Sequence, residues 1–391
     1  MFDQQARLER VLARHPDAMV VEPLRGRPAL VRRDEVLVAG RDAGAAEAAA
    51  RRWCDSRDDE RTVTRLRLRA AAKVDVCDLA ARLGTAGAGE ARRRPLSVAP
   101  NHLVHGQPMW WSGPADLPRP AAPLPAPEAA AARGEVTVAI LDTGLSPHPW
   151  FEDADWYREQ RDDVREVLDA DLDYELDAQA GHGTFIAGVV LRHAPTARLL
   201  ARRVIGSDGV GDELDVIRAL EWLAERRRAD VVNISLGCHT YDDRPSPVLA
   251  DAVAALGRRT VVVACAGNTA GERPFWPAAM GSVTGVAALD GGARAWFSNH
   301  GRWVDACAEG VGVTSTFVRF DGPRPPVGGI DPDAFQGFAT WSGTSFAAPV
   351  VAGRVAGLAA AEGIGADRAA ERVLDPAANP SLPGLGVVVG S

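Results

Sequence analysis

The sequence predicts an α/β fold, a parallel sheet with helices on both faces, preceded by a small α/β unit. Three observations carry that prediction. Beyond residue 135, short apolar runs alternate with segments of helical spacing, the pattern of parallel strands joined by crossover helices. The first run, residues 136–141 (VTVAIL), is apolar almost throughout, as a strand covered on both faces must be. Before it, residues 113–133 (GPADLPRPAAPLPAPEAAAAR) are so rich in Pro and Ala that they read as an extended linker, unable to sustain sheet or helix. The division follows: an α/β domain over 1–110, a linker over 111–134 and a larger α/β domain over 135–391.

Length and composition allow this. A chain of 391 residues has room for two domains, one with a large core. A formal net charge of −8 argues against a nucleic-acid partner, for which a basic face is needed. Residues 1–20 mix charges with short apolar steps and lack the continuous apolar core of a signal peptide. No later stretch approaches the length that spans a bilayer, so a cytoplasmic protein with no membrane partner is expected. Cys54, Cys77, Cys238, Cys265 and Cys307 are odd in number, widely spaced and form no CxxC pair. Reduced, buried thiols are the reading, not disulfides or a zinc site.

In the first unit, residues 35–39 read as a strand, 43–53 as a helix, 62–68 as an alternating strand, 74–83 as a helix and 96–104 as a closing strand. That order suggests a compact ferredoxin-like arrangement. It offers no catalytic constellation, and His102 and His105 read as surface or locally bonded residues. The acidic stretch 152–177, with 12 Asp or Glu against three Arg, reads as a solvated loop or as a substrate-facing rim that favours basic side chains.

In the larger unit, the strand at 136–141 ends in Asp142, and carboxyl ends of strands are where open α/β sheets build their sites. His182 stands where Gly181-His182-Gly183-Thr184 opens a segment of helical spacing. Strands follow at 198–204, 231–235, 260–264 and 283–288, with helices at 214–223 and 247–256. Asn268 lies just past the strand at 260–264. In Trp341-Ser342-Gly343-Thr344-Ser345, the chain turns at Gly343 and launches a helix whose apolar side carries Val350, Val351, Val355 and Leu358. Taken singly, each of Asp142, His182 and Ser345 could be an ordinary turn or helix cap. Together they supply an acid, a base and a nucleophile at element ends. Serine attacks only when a base takes its proton, and a carboxylate fixes the tautomer of that base.

Residues 135–388 resemble the subtilisin-like serine proteases, the subtilases. Four segments carry the resemblance: Val138-Ala139-Ile140-Leu141-Asp142-Thr143-Gly144, Gly181-His182-Gly183-Thr184, Ala266-Gly267-Asn268 and Gly343-Thr344-Ser345-Phe346-Ala347-Ala348-Pro349. Asn233-Ile234-Ser235-Leu236-Gly237 and Phe297-Ser298-Asn299-His300-Gly301 support it. The resemblance implies a hydrolase of peptide or protein substrates in which Ser345 attacks, His182 serves as base and Asp142 orients it. It further implies that Asn268 holds the oxyanion, and that Ser235, Leu236, Gly237, Ala266 and Gly267 line the bound peptide. It makes residues 30–105 resemble an inhibitory pro-domain, cut within about 100–111, and so implies a zymogen. No cofactor is required by such chemistry; a structural calcium is compatible with the family, though no loop here assigns one. A peptide-binding protein on the same scaffold is the alternative. Departures concern specificity: Cys307-Ala308-Glu309-Gly310 replaces a common Ala-Pro-Gly, Phe275 and Trp276 are bulky enough that they could narrow the primary pocket, and 314–340 is an insertion that could cover the site.

Overall fold

Seven parallel strands form the main sheet, most of them apolar on both faces; the edge strand Arg198–Arg203 (RLLARR) is buried only at its centre. In spatial order they are Gly386–Val388, Ala306–Glu309, Thr284–Asp290, Val261–Cys265, Val231–Ile234, Thr137–Asp142 and Arg198–Arg203. The computed structural model describes residues 4–70, 73–86, 95–106, 117–129, 132–226, 229–322 and 333–390. Thr137–Asp142 lies between Arg198–Arg203 and Val231–Ile234, so the chain leaves it first to one side and then to the other. That reversal opens a crevice at the carboxyl ends of the strands, beside Asp142.

One face of the sheet carries the helices His182–His193, Thr344–Glu362 and Ala366–Val373, packed around Phe185, Phe346, Val351 and Val355. The other face carries Glu213–Glu225 and Pro247–Ala255, around Leu214, Ile217, Leu220 and Leu249. Thr344–Glu362 is buried on nearly every side, which is why it is apolar beyond the stripe read from the sequence. By length and composition this helix could cross a membrane, contrary to the expectation that no stretch would. Yet 78% of that apolar window is buried inside the fold, the mark of a core helix.

The N-terminal unit is a mostly antiparallel sheet in the order Cys54–Asp59, Val63–Leu68, Ala29–Ala39, Val98–His105, with Ala18–Val21 beside Ala29–Ala39. Helices Ala43–Ala50 and Val76–Ala86 cover one face. From the other, Leu37, Ala39, Val63, Ala99 and Val104 pack on the helices Glu213–Glu225 and Pro247–Ala255. This sheet does not end at its own domain. Val98–His105 pairs antiparallel with Val210–Asp212 of the larger unit.

Polar contacts stitch the same seam: Arg32 to Asp212, Arg41 to Asp251, Arg61 to Glu225 and Arg218 to Glu60. At its centre His102, read from sequence as a surface or locally bonded residue, is 1% exposed and meets the buried Glu213 at 3.1 Å. His105 is likewise buried.

Two other expectations change. The Pro/Ala-rich stretch does contribute to a sheet: Arg119–Pro120 pairs antiparallel with Thr340 and Ala339. Proline is tolerated there because an edge strand can spare the missing N–H. The insertion is chiefly a hairpin, Val313–Asp321 with Ala334–Trp341, buried against the helix His182–His193. Ser315 and Thr316 donate to the Phe185 and Thr184 carbonyls, both at 2.7 Å, so the hairpin braces that helix from behind. Residues 323–332 of the expected flap, and 107–111 of the expected cleavage region, lie outside the described residues.

Candidate active site

Asp142 ends the strand Thr137–Asp142, and His182 is the first residue of the helix His182–His193. The two elements meet because glycines allow it. Gly181 takes a left-handed φ of 81°, and a Cβ on Gly183 would lie 2.1 Å from the Gly144 carbonyl oxygen. The contact brings His182 Nδ1 to 2.7 Å from Asp142 Oδ1, with both side chains buried. Oδ1 also accepts from the Thr143 N–H at 2.8 Å. Trp341 and Phe346 flank the imidazole, with ring centroids at 5.4 and 5.3 Å, so it sits in an apolar slot of fixed orientation.

A second carboxylate lies behind this pair. Glu166, from the acidic stretch, is buried and accepts hydrogen bonds from Thr143 Oγ1, from Ser146 Oγ at 2.9 Å and from Thr184 Oγ1. Burial holds its carboxyl above the ordinary range, and the three hydroxyls oppose that shift. Thr143 Oγ1 accepts from the Gly183 N–H at 2.9 Å, so one hydroxyl ties the Asp142 turn to the His182 turn. The acidic stretch is therefore not simply a solvated loop or a rim. It also turns Asp171 and Asp177 towards Arg14 of the N-terminal helix Gln4–Arg14.

Ser345 is the second residue of the helix Thr344–Glu362 and lies beside the end of Val231–Ile234. Its hydroxyl donates to the Ser235 carbonyl at 3.2 Å. The reciprocal contact has a cause in the sequence. Pro349 has no N–H, so the carbonyl four residues back, that of Ser345, loses its helical partner. Ser235 Oγ donates to that carbonyl at 2.8 Å and itself accepts from Asn233 Nδ2 at 3.0 Å. Below lies Cys265, its thiol pushed up to about 12 by burial.

Asn268 is clamped from the same helix. Its Oδ1 accepts from the Thr344 N–H at 2.8 Å and from Thr344 Oγ1 at 2.9 Å. Thr344 Oγ1 in turn accepts from the Gly267 N–H at 3.0 Å. With its oxygen engaged, the amide leaves Nδ2 beside Gly343, where a Cβ would stand 3.7 Å away. Asn299 Nδ2 donates to the Ala266 carbonyl at 2.8 Å, and its Oδ1 accepts from the Thr269 N–H at 2.9 Å, which fixes the loop.

Asp142, His182, Ser345, Asn268 and the segments 235–237 and 266–268 thus converge at one end of the sheet. Sequence reasoning missed Thr344 and Glu166. The first hides inside the motif as an ordinary cap, and the second among eleven other acids. A strand already follows the crevice: His105 exchanges backbone hydrogen bonds with Gly237 at 2.9 and 3.2 Å, antiparallel. Among the described residues, Asp169, Asp171 and Asp173 are the one acidic trio close enough to share a cation. Asp169 instead accepts from the N–H groups of Asp173 and Tyr174, and Asp171 pairs with Arg14.

Residues 133–382 match the subtilase family, Peptidase_S8. The chain is 35% identical over 236 residues to the thermophilic serine proteinase of Bacillus sp. (strain AK1), covering 57% of this chain and 51% of that protein. It is 34% identical over 234 residues to Subtilisin BL of Lederbergia lenta, covering 56% and 75% respectively. Among solved structures, a protease of Pseudoalteromonas arctica PAMC 21717 shares the fold, with a TM-score of 0.52, 24% identity and coverage of 66% of this chain and 89% of that one. The relatives also overturn the cytoplasmic expectation. They include the minor extracellular protease Epr of Bacillus subtilis (strain 168), 31% identical over 226 residues, which cover 55% of this chain and 30% of that protein. That expectation rested on the opening residues and on the lack of a bilayer-length apolar stretch, neither of which decides the compartment. With the family match spanning more than half its length, the chain belongs to the subtilases, the subtilisin-like serine proteases.

Proposed function

We propose that the chain is a serine endopeptidase working through an acyl-enzyme. Ser345 Oγ attacks the scissile carbonyl carbon while His182 takes its proton, and Asp142 holds the imidazole in the tautomer that accepts it. The oxyanion lies between Asn268 Nδ2 and the Ser345 backbone N–H, at a helix start where N–H groups have no helical partner. His182 then returns the proton to the leaving amine, and water repeats the sequence on the acyl-enzyme. In the resting geometry the hydroxyl donates to the Ser235 carbonyl. It turns to His182 on substrate binding, as such contacts tighten in the reactive complex. Nothing in these steps calls for a metal.

The observation that carries this reading is the Asp142–His182 pair at 2.7 Å, at the same sheet end as Ser345 and the clamped Asn268. A protein that only bound peptides would need no buried acid–base pair. A fluorophosphonate probe should modify wild type at Ser345 and abolish its casein hydrolysis, whereas Ser345→Ala should neither label nor turn over. Equal turnover by Ser345→Ala would refute the assignment.

The N-terminal unit acts as an inhibitory pro-domain on this reading. The support is the antiparallel pairing of His105 with Gly237, along the track a substrate strand would use. Intact mass measured beside activity tests it: a full-length chain that is already fully active would make the unit a permanent accessory domain.

A further inference from the structure

We propose that Phe275 closes the slot beside the nucleophile, so that this protease cuts after residues with small side chains: glycine, alanine or serine. The proposal rests on the endopeptidase reading and names its substrate class.

The slot follows from strand register. Val231–Ile234 and Val261–Cys265 are parallel neighbours with Ile234 opposite Ala264. Three residues further on, both chains carry glycine, Gly237 and Gly267, and Ser345 lies close by, its hydroxyl on the Ser235 carbonyl. A peptide laid antiparallel on 235–237 places the residue opposite Ser235 nearest that hydroxyl. The space its side chain could enter lies between the two bare glycine backbones.

Here that space is filled. A Cβ on Gly237 would stand 2.6 Å from Phe275 Cε1, and one on Gly267 would stand 3.0 Å from Phe275 Cγ, so a single ring covers both glycines. Phe275 is 3% exposed.

The ring is held from both sides of its own chain. Trp276 and Cys238 exchange backbone hydrogen bonds at 2.8 and 2.9 Å, and His239 Nδ1 meets the Pro274 carbonyl at 2.9 Å. His239 packs edge-on against the ring with centroids at 5.3 Å. His105, the residue already paired with Gly237, ends edge-on against it at 5.7 Å. A side chain much longer than a methyl or hydroxymethyl group would have to displace a pinned aromatic ring from a close-packed site.

The test uses the full-length chain as expressed and compares rates of Ser345 modification by peptidyl phosphonates. The probes differ only in the side chain that mimics the residue before the scissile bond: Ala, Leu or Phe. A general fluorophosphonate serves as control. Wild type should react with the Ala probe at least about 100-fold faster than with the Phe probe. Phe275→Ala should cut that ratio at least about tenfold, and Phe275→Leu, which keeps an apolar filler, should fall between. Labelling by the control with equal or faster reaction of the Phe probe, or with none of the peptidyl probes reacting, overturns the proposal. So does an unchanged ratio in Phe275→Leu that still labels with the control. Failure of the control itself would instead refute the peptidase reading, and this proposal with it.

Discussion

Ser235→Ala is the sharpest probe of how the nucleophile is held. The Ser235 hydroxyl serves two buried groups, the Ser345 carbonyl that Pro349 leaves without a helical donor and the Asn233 side-chain amide. Removing it strands both. A buried polar group without a partner costs about 1–3 kcal/mol, so the loss should be about 2–6 kcal/mol. In a catalytic unit of this size each kcal/mol shifts Tm by about 2–4 °C, which puts the lower bound near a 4 °C drop. The comparison belongs in a Ser345→Ala background, which prevents self-digestion and leaves the backbone carbonyl in place. Thermal unfolding by circular dichroism reads it. Pro349→Ala then supplies the decisive arm. It restores an N–H to the helix, so the double variant Ser235→Ala/Pro349→Ala should recover about 1 kcal/mol or more of the loss, while Asn233 stays unpaired. Strictly additive losses in the two variants would refute the claim that the hydroxyl stands in for the missing helical donor.

Two further outcomes follow from the site. Thr344→Val removes the hydroxyl that fixes Asn268 and Gly267 but keeps the side-chain shape; kcat should fall about tenfold with KM nearly unchanged, since only transition-state contacts suffer, and a pure KM effect would contradict this. Glu166 titrates above its unfolded value of about 4.5, so the folded state binds the proton more tightly and stability is lost as pH rises from there through the folded pKa; Glu166→Gln should flatten that part of the Tm–pH profile, and an unchanged slope would show that Glu166 does not carry it.

Much of the catalytic unit is legible in the sequence because burial on both faces leaves its strands apolar and its glycines where backbones touch. Residues 136–141 and 260–264 differ by one residue from the strands Thr137–Asp142 and Val261–Cys265. The Cys54–Asp59 strand (CDSRDD) was not legible. It lies at the sheet edge with only half-buried or exposed residues, so it carries no alternation to read. The hairpin Val313–Asp321 and Ala334–Trp341 escaped for a different reason. Its role is to brace a distant helix, and such contacts leave no local period. Of the site, the motif residues were legible by type and order. Glu166 was not, because nothing in a run of acids distinguishes the one that turns inward.

The seam between the N-terminal unit and the helices Glu213–Glu225 and Pro247–Ala255 has a kinetic consequence. It is held by apolar packing together with several partly exposed ion pairs, while Arg119–Pro120 stays clipped to Ala339 and Thr340. Cutting the chain between these two attachments severs a covalent link without dissolving either docked surface. If the N-terminal unit inhibits as proposed above, onset of activity is then timed by departure of a bound fragment, a first-order off-rate independent of enzyme concentration. Ions screen the exposed pairs within about 8–10 Å at ordinary salt, so that clock runs faster in a salty medium than in a dilute one.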